Sequence, residues 1–351
     1  MMKVAVALSV ALAAGAANAA PPESFTLGPK SLSYGVGLRV GGGYTDAPAP
    51  GAAGLGVATL DVRPYISGQI APWMKFSGNL DLNNGDTGRI HVLDAVAQFQ
   101  PTDLFNIWMG RFLPPSDRAN LSGPYYQNAW NYPTTVNGYP SIYAGRADGA
   151  AVWGQVNKGQ LKYQAGVFTT DPTVVIGQAI YALRMVFNFL DPEPGYYNSS
   201  TYYGSKDVLA LGGAVQYKKT VDPAGVLPDK KLAGFNLDLL FEKKIVGADV
   251  LTLEGAYYNF NQGNAAGSQG WSFYTLASWL FGTKAGPGRV QPMFRLQHAE
   301  TPAGNATNTV DGGLNYILDG HNARMALVVQ NTSPPVGSSM TTVQLGIQIQ
   351  E

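Results

Sequence analysis

The chain has 351 residues, with 43 Gly, 23 Pro, 19 Tyr and no Cys, and its 23 Lys plus Arg balance its 23 Asp plus Glu. Charged residues make up only 13% and apolar residues 45%. Sparse, balanced charge excludes a nucleic-acid surface, the absence of Cys excludes a disulfide scaffold, a thiolate metal site and c-type haem attachment, and the apolar share excludes disorder.

Residues 1–20 read as a secretory signal. Lys3 gives the positive n-region, residues 4–14 the short apolar h-region, and Ala17-Asn18-Ala19 the small-residue site, so cleavage is expected near Ala19 or Ala20. The h-region falls short of the roughly 20 residues a spanning helix needs. After residue 20 no uninterrupted apolar stretch approaches that length. The mature chain, 21–351, is therefore expected to be soluble or a β-barrel, in one domain.

Apolar and polar residues alternate with period two through almost all of it, as in half-buried strands. In 34–40, Tyr34, Val36, Leu38 and Val40 share one face, against Gly35, Gly37 and Arg39 on the other. Near the end, Val343, Leu345, Ile347 and Ile349 alternate with Thr342, Gln344, Gly346, Gln348 and Gln350. Sixteen such segments follow one another: 33–44, 54–71, 73–84, 89–100, 105–113, 146–156, 160–170, 178–190, 207–219, 232–245, 248–261, 270–282, 289–300, 310–319, 322–332 and 340–350. Many run 10 to 14 residues. That suits tilted membrane strands of about 9–11 residues better than the shorter strands of soluble folds.

The connections alternate between short and long, as in outer-membrane barrels. Two break the pattern: an Asn-Gly hairpin at 83–88 on the long side, and a long Tyr-rich turn at 191–206 on the short side. The expected fold is all-β, a 16-stranded antiparallel transmembrane β-barrel.

In such a barrel the apolar face meets lipid and the polar face lines the lumen. Trp73, Tyr163, Phe187, Phe189, Tyr217, Phe241, Trp271 and Phe281, near strand ends, suit interfacial girdles. The polar faces give Arg39, Arg63, Lys75, Arg184, Glu254, Arg295 and Arg324 as lumen-lining candidates, with Asp61, Asp81, Lys218, Asp238 and Glu242 beside them. A ring of one sign would impose ion selectivity, whereas this mixture predicts a weak preference at most.

The connection at 114–145 is the outlier. Loops longer than about 12–15 residues are commonly functional. This one is rich in Tyr, Trp, Asn and Pro and poor in charge. It is expected to fold into the barrel and narrow it. Arg111, Asp117, Arg118, Arg146 and Asp148, at or near its anchors, are the candidate constriction charges. The competing reading is an outward loop anchored by structural ion pairs.

The segment FNIWMGRFLPPSDR, 105–118, resembles that of phosphate-selective (O and P type) porins, where a strand ending in Gly and Phe is followed by Pro and a Ser/Arg pair. Residues 94–99, DAVAQF, look like that family's preceding strand, and 313–324, GLNYILDGHNAR, are similar to its penultimate hairpin. The resemblance implies a sixteen-stranded porin, a homotrimer with its third long loop folded inward, and passive uptake of small, often anionic solutes. Two features depart from the family: 114–145 contains no Lys, where phosphate-selective members line their constriction with it, and the chain ends Ile349-Gln350-Glu351 rather than on an aromatic residue.

No enzyme is expected. His91, His298 and His321 form no metal-ligand spacing, and no G-x-S-x-G elbow occurs. Residues 81–86 loosely match a calcium loop but lack its closing Glu. Asn-x-Ser/Thr triplets at Asn120, Asn198, Asn305 and Asn331 are discounted for a bacterial outer-membrane protein. No cofactor or metal is assigned. The expected function is passive diffusion of small hydrophilic solutes or ions through the outer membrane, with membrane lipid as surroundings. The alternatives are a barrel that sleeves or anchors a partner protein, such as the porin component of an electron conduit, and a soluble secreted β-protein.

Overall fold

The computed structural model describes residues 23–27, 30–46, 54–83, 90–134, 145–169, 179–220, 230–261 and 269–351. The signal segment, the Asn-Gly turn at 84–85 and the 135–144 part of the long connection lie outside them.

Sixteen strands form the wall. The first eight are β1 (Lys30–Asp46), β2 (Gly54–Ala71), β3 (Met74–Asn83), β4 (His91–Phe99), β5 (Asn106–Phe112), β6 (Ala147–Val156), β7 (Leu161–Thr169) and β8 (Ile180–Asn188). The rest are β9 (Val208–Thr220), β10 (Lys230–Lys244), β11 (Val250–Asn261), β12 (Gln269–Leu280), β13 (Gly288–Glu300), β14 (Ala306–Asp319), β15 (Ala323–Ser333) and β16 (Met340–Gln350). Each pairs antiparallel with the next. β16 returns to β1, with Thr341 opposite Asp46 and Gln350 opposite Gly37, and the sheet closes. A short strand, Glu23–Leu27, folds back on the start of β1. Another, Lys284–Ala285, sits in the turn before β13. Among the described residues no helix is long and apolar enough to cross a membrane.

Period-two alternation makes these strands, because successive side chains point to opposite faces. In β16 the apolar set is β-branched or Leu, which favours extended backbone. What the barrel does with the two faces is the reverse of a soluble core. Ile347 is 38% exposed while its neighbour Gln348 is 0% exposed. In β8, Tyr181, Leu183, Met185 and Phe187 are exposed while Arg184 and Asn188 are buried. Most of the expected girdle aromatics, including Trp73, Phe187, Phe189, Tyr217 and Phe281, stand exposed on the outer surface. An apolar exterior with a polar interior is the arrangement lipid requires.

A sixteen-stranded wall encloses more space than its own side chains can fill. Yet Arg184, Glu242, Asp311, Arg324 and Gln348 are fully buried. Their cover comes from two connections: residues 113–134 after β5, and residues 189–207 between β8 and β9.

Candidate functional site

Residues 113–134 carry one short helix, α1 (Arg118–Ser122). Asp117 caps it, accepting from the Asn120 amide at 3.1 Å, and Gly123 ends it at φ +68°. An Asp N-cap answers an otherwise unpaired amide, and Gly adopts that φ without strain. Past α1 the backbone is irregular, so its carbonyls need donors from elsewhere. The wall supplies them. Arg324 Nη1 donates to Gln127 O at 2.6 Å, Arg39 Nη2 to Trp130 O at 2.5 Å, and Arg295 Nη1 to Asn131 O at 2.9 Å. Gln216 Nε2 donates to Pro115 O at 2.9 Å and Gln348 Nε2 to Tyr125 O at 3.0 Å. In return, Asn128 Nδ2 donates to Ser278 Oγ at 2.7 Å and the Thr134 amide to Gln297 Oε1 at 2.7 Å. These partners lie on β1, β9, β12, β13, β15 and β16.

Two glycines on the wall permit this contact. A Cβ at Gly346 would lie 2.3 Å from the Trp130 ring, and one at Gly37 would lie 2.7 Å from the Tyr125 ring. Trp130 in turn sits under the Arg39 guanidinium, 4.2 Å from ring centre to Cζ.

The centre of the assembly is ionic. Arg118 donates through Nη1 and Nη2 to the two Glu193 carboxylate oxygens, both at 2.7 Å, and through Nη1 to Ser199 O at 2.7 Å. Arg184 makes a second fork to Asp238, at 2.5 and 2.8 Å. Asp238 also accepts the Arg118 amide at 3.3 Å. Asp117 accepts the Tyr258 hydroxyl at 2.9 Å. Burial, with the Asp238 charge close by, pushes the Asp117 carboxyl up to about 6. Glu193 is held down at about 2: its Arg118 partner outweighs its burial, which acts the other way.

Residues 189–207 contain the turn that the sequence marked at 191–206 only as an exception to the alternation. They meet the first segment directly. The Ser200 amide donates to Tyr126 O at 3.1 Å, and Tyr196 donates its hydroxyl to Leu113 O at 3.0 Å. Glu242 of β10 gathers the far end, accepting from Thr201 Oγ1 at 2.6 Å and from the Tyr202 and Gly204 amides at 2.9 Å. Tyr196 stacks on Trp108 at 4.6 Å, within an inner cluster with Phe112, Trp153 and Phe168. The sequence signal for this was its density of Tyr pairs, Tyr196-Tyr197 and Tyr202-Tyr203, in a turn otherwise expected to be short. His321 lies where the two segments join. Its Nε2 is 2.9 Å from Thr201 O and its Nδ1 3.2 Å from Tyr125 O. Burial and the nearby Arg324 charge lower it to about 4.

The five candidate constriction charges separate into three groups. Asp117 and Arg118 are fully buried in the ionic centre. Arg146 lies apart from them and pairs with Asp94 of β4 at 3.3 Å. Arg111 and Asp148 differ from expectation. β5 turns Trp108 and Phe112 inward, which puts Arg111 on the outer face with Met109. Asp148 stands opposite it on β6, and the two form a forked pair at 2.6 and 2.8 Å, 40% and 35% exposed. The lumen candidates also divide. Arg39, Arg184, Arg295, Arg324 and Glu254 are buried rather than standing in open space: irregular backbone uses the hydrogen-bonding capacity of Arg39, Arg295 and Arg324, and Arg184 is paired with Asp238. Glu254 accepts from Ser200 Oγ at 3.1 Å and Tyr274 Oη at 2.8 Å. Lys75 and Arg63 line cavities instead.

One of these cavities, about 570 Å³, lies between the β1–β4 wall and the two segments. Arg63, Arg146 and Lys206 border it with Asp94 and five tyrosines. A second, about 580 Å³, lies beside the 101–104 turn and is lined by Lys75, Trp108, Trp153 and Tyr196. Among the described residues no cluster of His, Asp or Glu could hold a metal ion.

No protein-family model matches the chain, and no curated protein matches it significantly, so the likeness to phosphate-selective porins rests on the short segments quoted above. Solved structures do match. The anion-selective porin from Comamonas acidovorans superposes with TM-score 0.60 at 13% identity, over 92% of this chain and 100% of its own. OprB of Pseudomonas putida gives 0.62 at 10% identity, over 91% and 94%. OmpT of Vibrio cholerae, an outer-membrane protein in a trimer form, gives 0.57 at 11% identity, over 92% and 99%. At such identities the likeness is one of fold: this chain has the closed sixteen-stranded barrel of the bacterial outer-membrane porins.

Proposed function

We propose that the chain is a bacterial outer-membrane porin, exported by a cleaved signal, that lets small hydrophilic solutes or ions pass passively. The observation that carries this reading is the inverted distribution of polarity, with buried Gln and Arg inside a closed wall whose outer face is aliphatic and aromatic. Residues 113–134 fold into the barrel as its constriction. The hydrogen bonds between six wall strands and this segment support this. Residues 189–207 reinforce the constriction from the other end. Discrimination comes from the width and charge of the remaining passage and involves no catalysis. That passage follows the cavity on the β1–β4 wall, where Arg63 is paired with Asp81 and Arg146 with Asp94, and the remaining charge of Lys206 favours anions, phosphate included. The Vibrio cholerae OmpT trimer makes a homotrimer the natural assembly.

The test is a planar-bilayer recording of the refolded mature chain across a KCl gradient, with phosphate then added. Stepwise conductance with an anion-selective reversal potential is expected. A heat-modifiable barrel without conductance would favour the sleeve or anchor, which the meeting of the two segments inside the wall also suits.

A further inference from the structure

The cavity on the β1–β4 wall holds more than charge. Two of its lining residues are at least nine-tenths buried yet carry polar atoms with no hydrogen-bond partner: Tyr125 Oη, and both Oδ1 and Nδ2 of Asn198. Asn79 Oδ1, also on the lining, is a fourth such atom. Buried polar groups in folded proteins are almost always paired, and each unpaired one is unfavourable. Four around one cavity point to a partner that enters it.

Their chemistry describes that partner. Asn198 Nδ2 donates, Asn79 Oδ1 and Asn198 Oδ1 accept, and Tyr125 Oη does either. The cations also exceed the anions: Arg63 pairs with Asp81 at 3.5 Å and Arg146 with Asp94 at 3.3 Å, which leaves the charge of Lys206 in surplus. The donors and cations suit a carboxylate, and the acceptors suit a hydroxyl. Between them stand the rings of Tyr65, Tyr125, Tyr126, Tyr197 and Tyr202, which suit a flat body. The volume, about 570 Å³, lies within the usual range for small-molecule sites.

We propose that this cavity is a solute-binding subsite for a single-ring aromatic carboxylate bearing a ring hydroxyl. The proposal rests on the porin reading for its route of access. Arg63 and Lys206 hold the carboxylate, Asn79 and Asn198 accept the hydrogen bond of the hydroxyl, and the tyrosines flank the ring.

The test uses the refolded full-length mature chain in planar bilayers with 4-hydroxybenzoate, benzoate, acetate and glucose as probes, and calorimetric titration of the same probes onto the detergent-solubilised protein. Block and binding should fall in the order 4-hydroxybenzoate, benzoate, acetate, with glucose weakest. Lys206→Gln should weaken 4-hydroxybenzoate binding about tenfold, in the range of one charged hydrogen bond. Asn198→Ala should abolish its advantage over benzoate while leaving acetate unaffected. Heat-modifiability checks folding of both variants. Equal binding of all four probes, tightest binding of glucose, or no effect of either variant would overturn the subsite. Absence of conductance with ordered calorimetric binding would overturn the porin reading and leave the subsite standing.

Discussion

Arg118 and Glu193 share two hydrogen bonds of 2.7 Å, with both side chains at most 1% exposed. Seventy-five residues apart in sequence, they join the segment after β5 to the turn between β8 and β9. Removing one partner of a buried pair leaves the other charge uncompensated, at a cost of about 3–5 kcal/mol. Glu193→Gln should therefore lower the temperature at which the barrel loses its heat-modifiable form and make single-channel currents noisier. An unchanged transition would mean that the two segments are held together elsewhere.

Acid should act on the same junction in two opposite ways. Asp117 is raised from 3.8 to about 6 by burial and by Asp238, so between those values the folded chain binds more protons than the unfolded one. Its contribution to stability therefore declines as pH rises from about 4 to 6. His321 is lowered from 6.5 to about 4, so the unfolded chain binds more protons in that window, and stability is lost as pH falls through it. Asp117→Asn keeps a favourable helix cap. It should stabilise the barrel at pH 7 by up to about 3 kcal/mol, the equivalent of about two pKa units, and steepen the loss on acidification. His321→Gln should flatten that loss. Thermal transitions measured from pH 4 to 8 check both signs.

Trp130 depends on a missing side chain. An ideal Cβ on Gly346 falls 2.3 Å from its ring, too near for the two to coexist. Gly346→Leu should displace Trp130, uncover Arg39 and cost about 1–3 kcal/mol through overpacking. Larger single-channel conductance with a lower thermal transition is expected. Unaltered conductance would show that Trp130 does not bound the passage.

Charge on the passage should be separable from charge on the wall. Arg146→Gln, at the cavity, should shift the reversal potential in a KCl gradient toward cations. Arg111→Gln, on the outer face, should leave it alone. Equal shifts from both would contradict the outward placement of Arg111.

Much of the wall was legible in the sequence, because strand periodicity is local. The segment read at 54–71 is β2 to the residue, and 340–350 is β16. The interior was less so. Arg39, Arg295 and Arg324 were recognised as facing inward, but that they hold backbone carbonyls of Gln127, Trp130 and Asn131 depends on contacts between residues about 90 to 200 apart. Alternation alone could not tell on which face Arg111 lies either, since a one-residue shift of phase sends a side chain to the other side of the sheet. Trp108 and Phe112 are large and apolar, the kind of side chain a membrane barrel turns toward lipid. They turn inward because Tyr196 and its neighbours form an apolar cluster inside the barrel.

The central claim is that an open path for small solutes remains beside residues 113–134. Single-channel currents of the refolded wild-type chain, set against a variant in which 116–134 are replaced by a short Gly-Ser linker, test it most directly. The account predicts small, stepwise, anion-selective conductance for the wild type and a several-fold larger, less selective conductance for the variant. A heat-modifiable wild-type barrel that conducts nothing, or two chains with equal conductance, would contradict it.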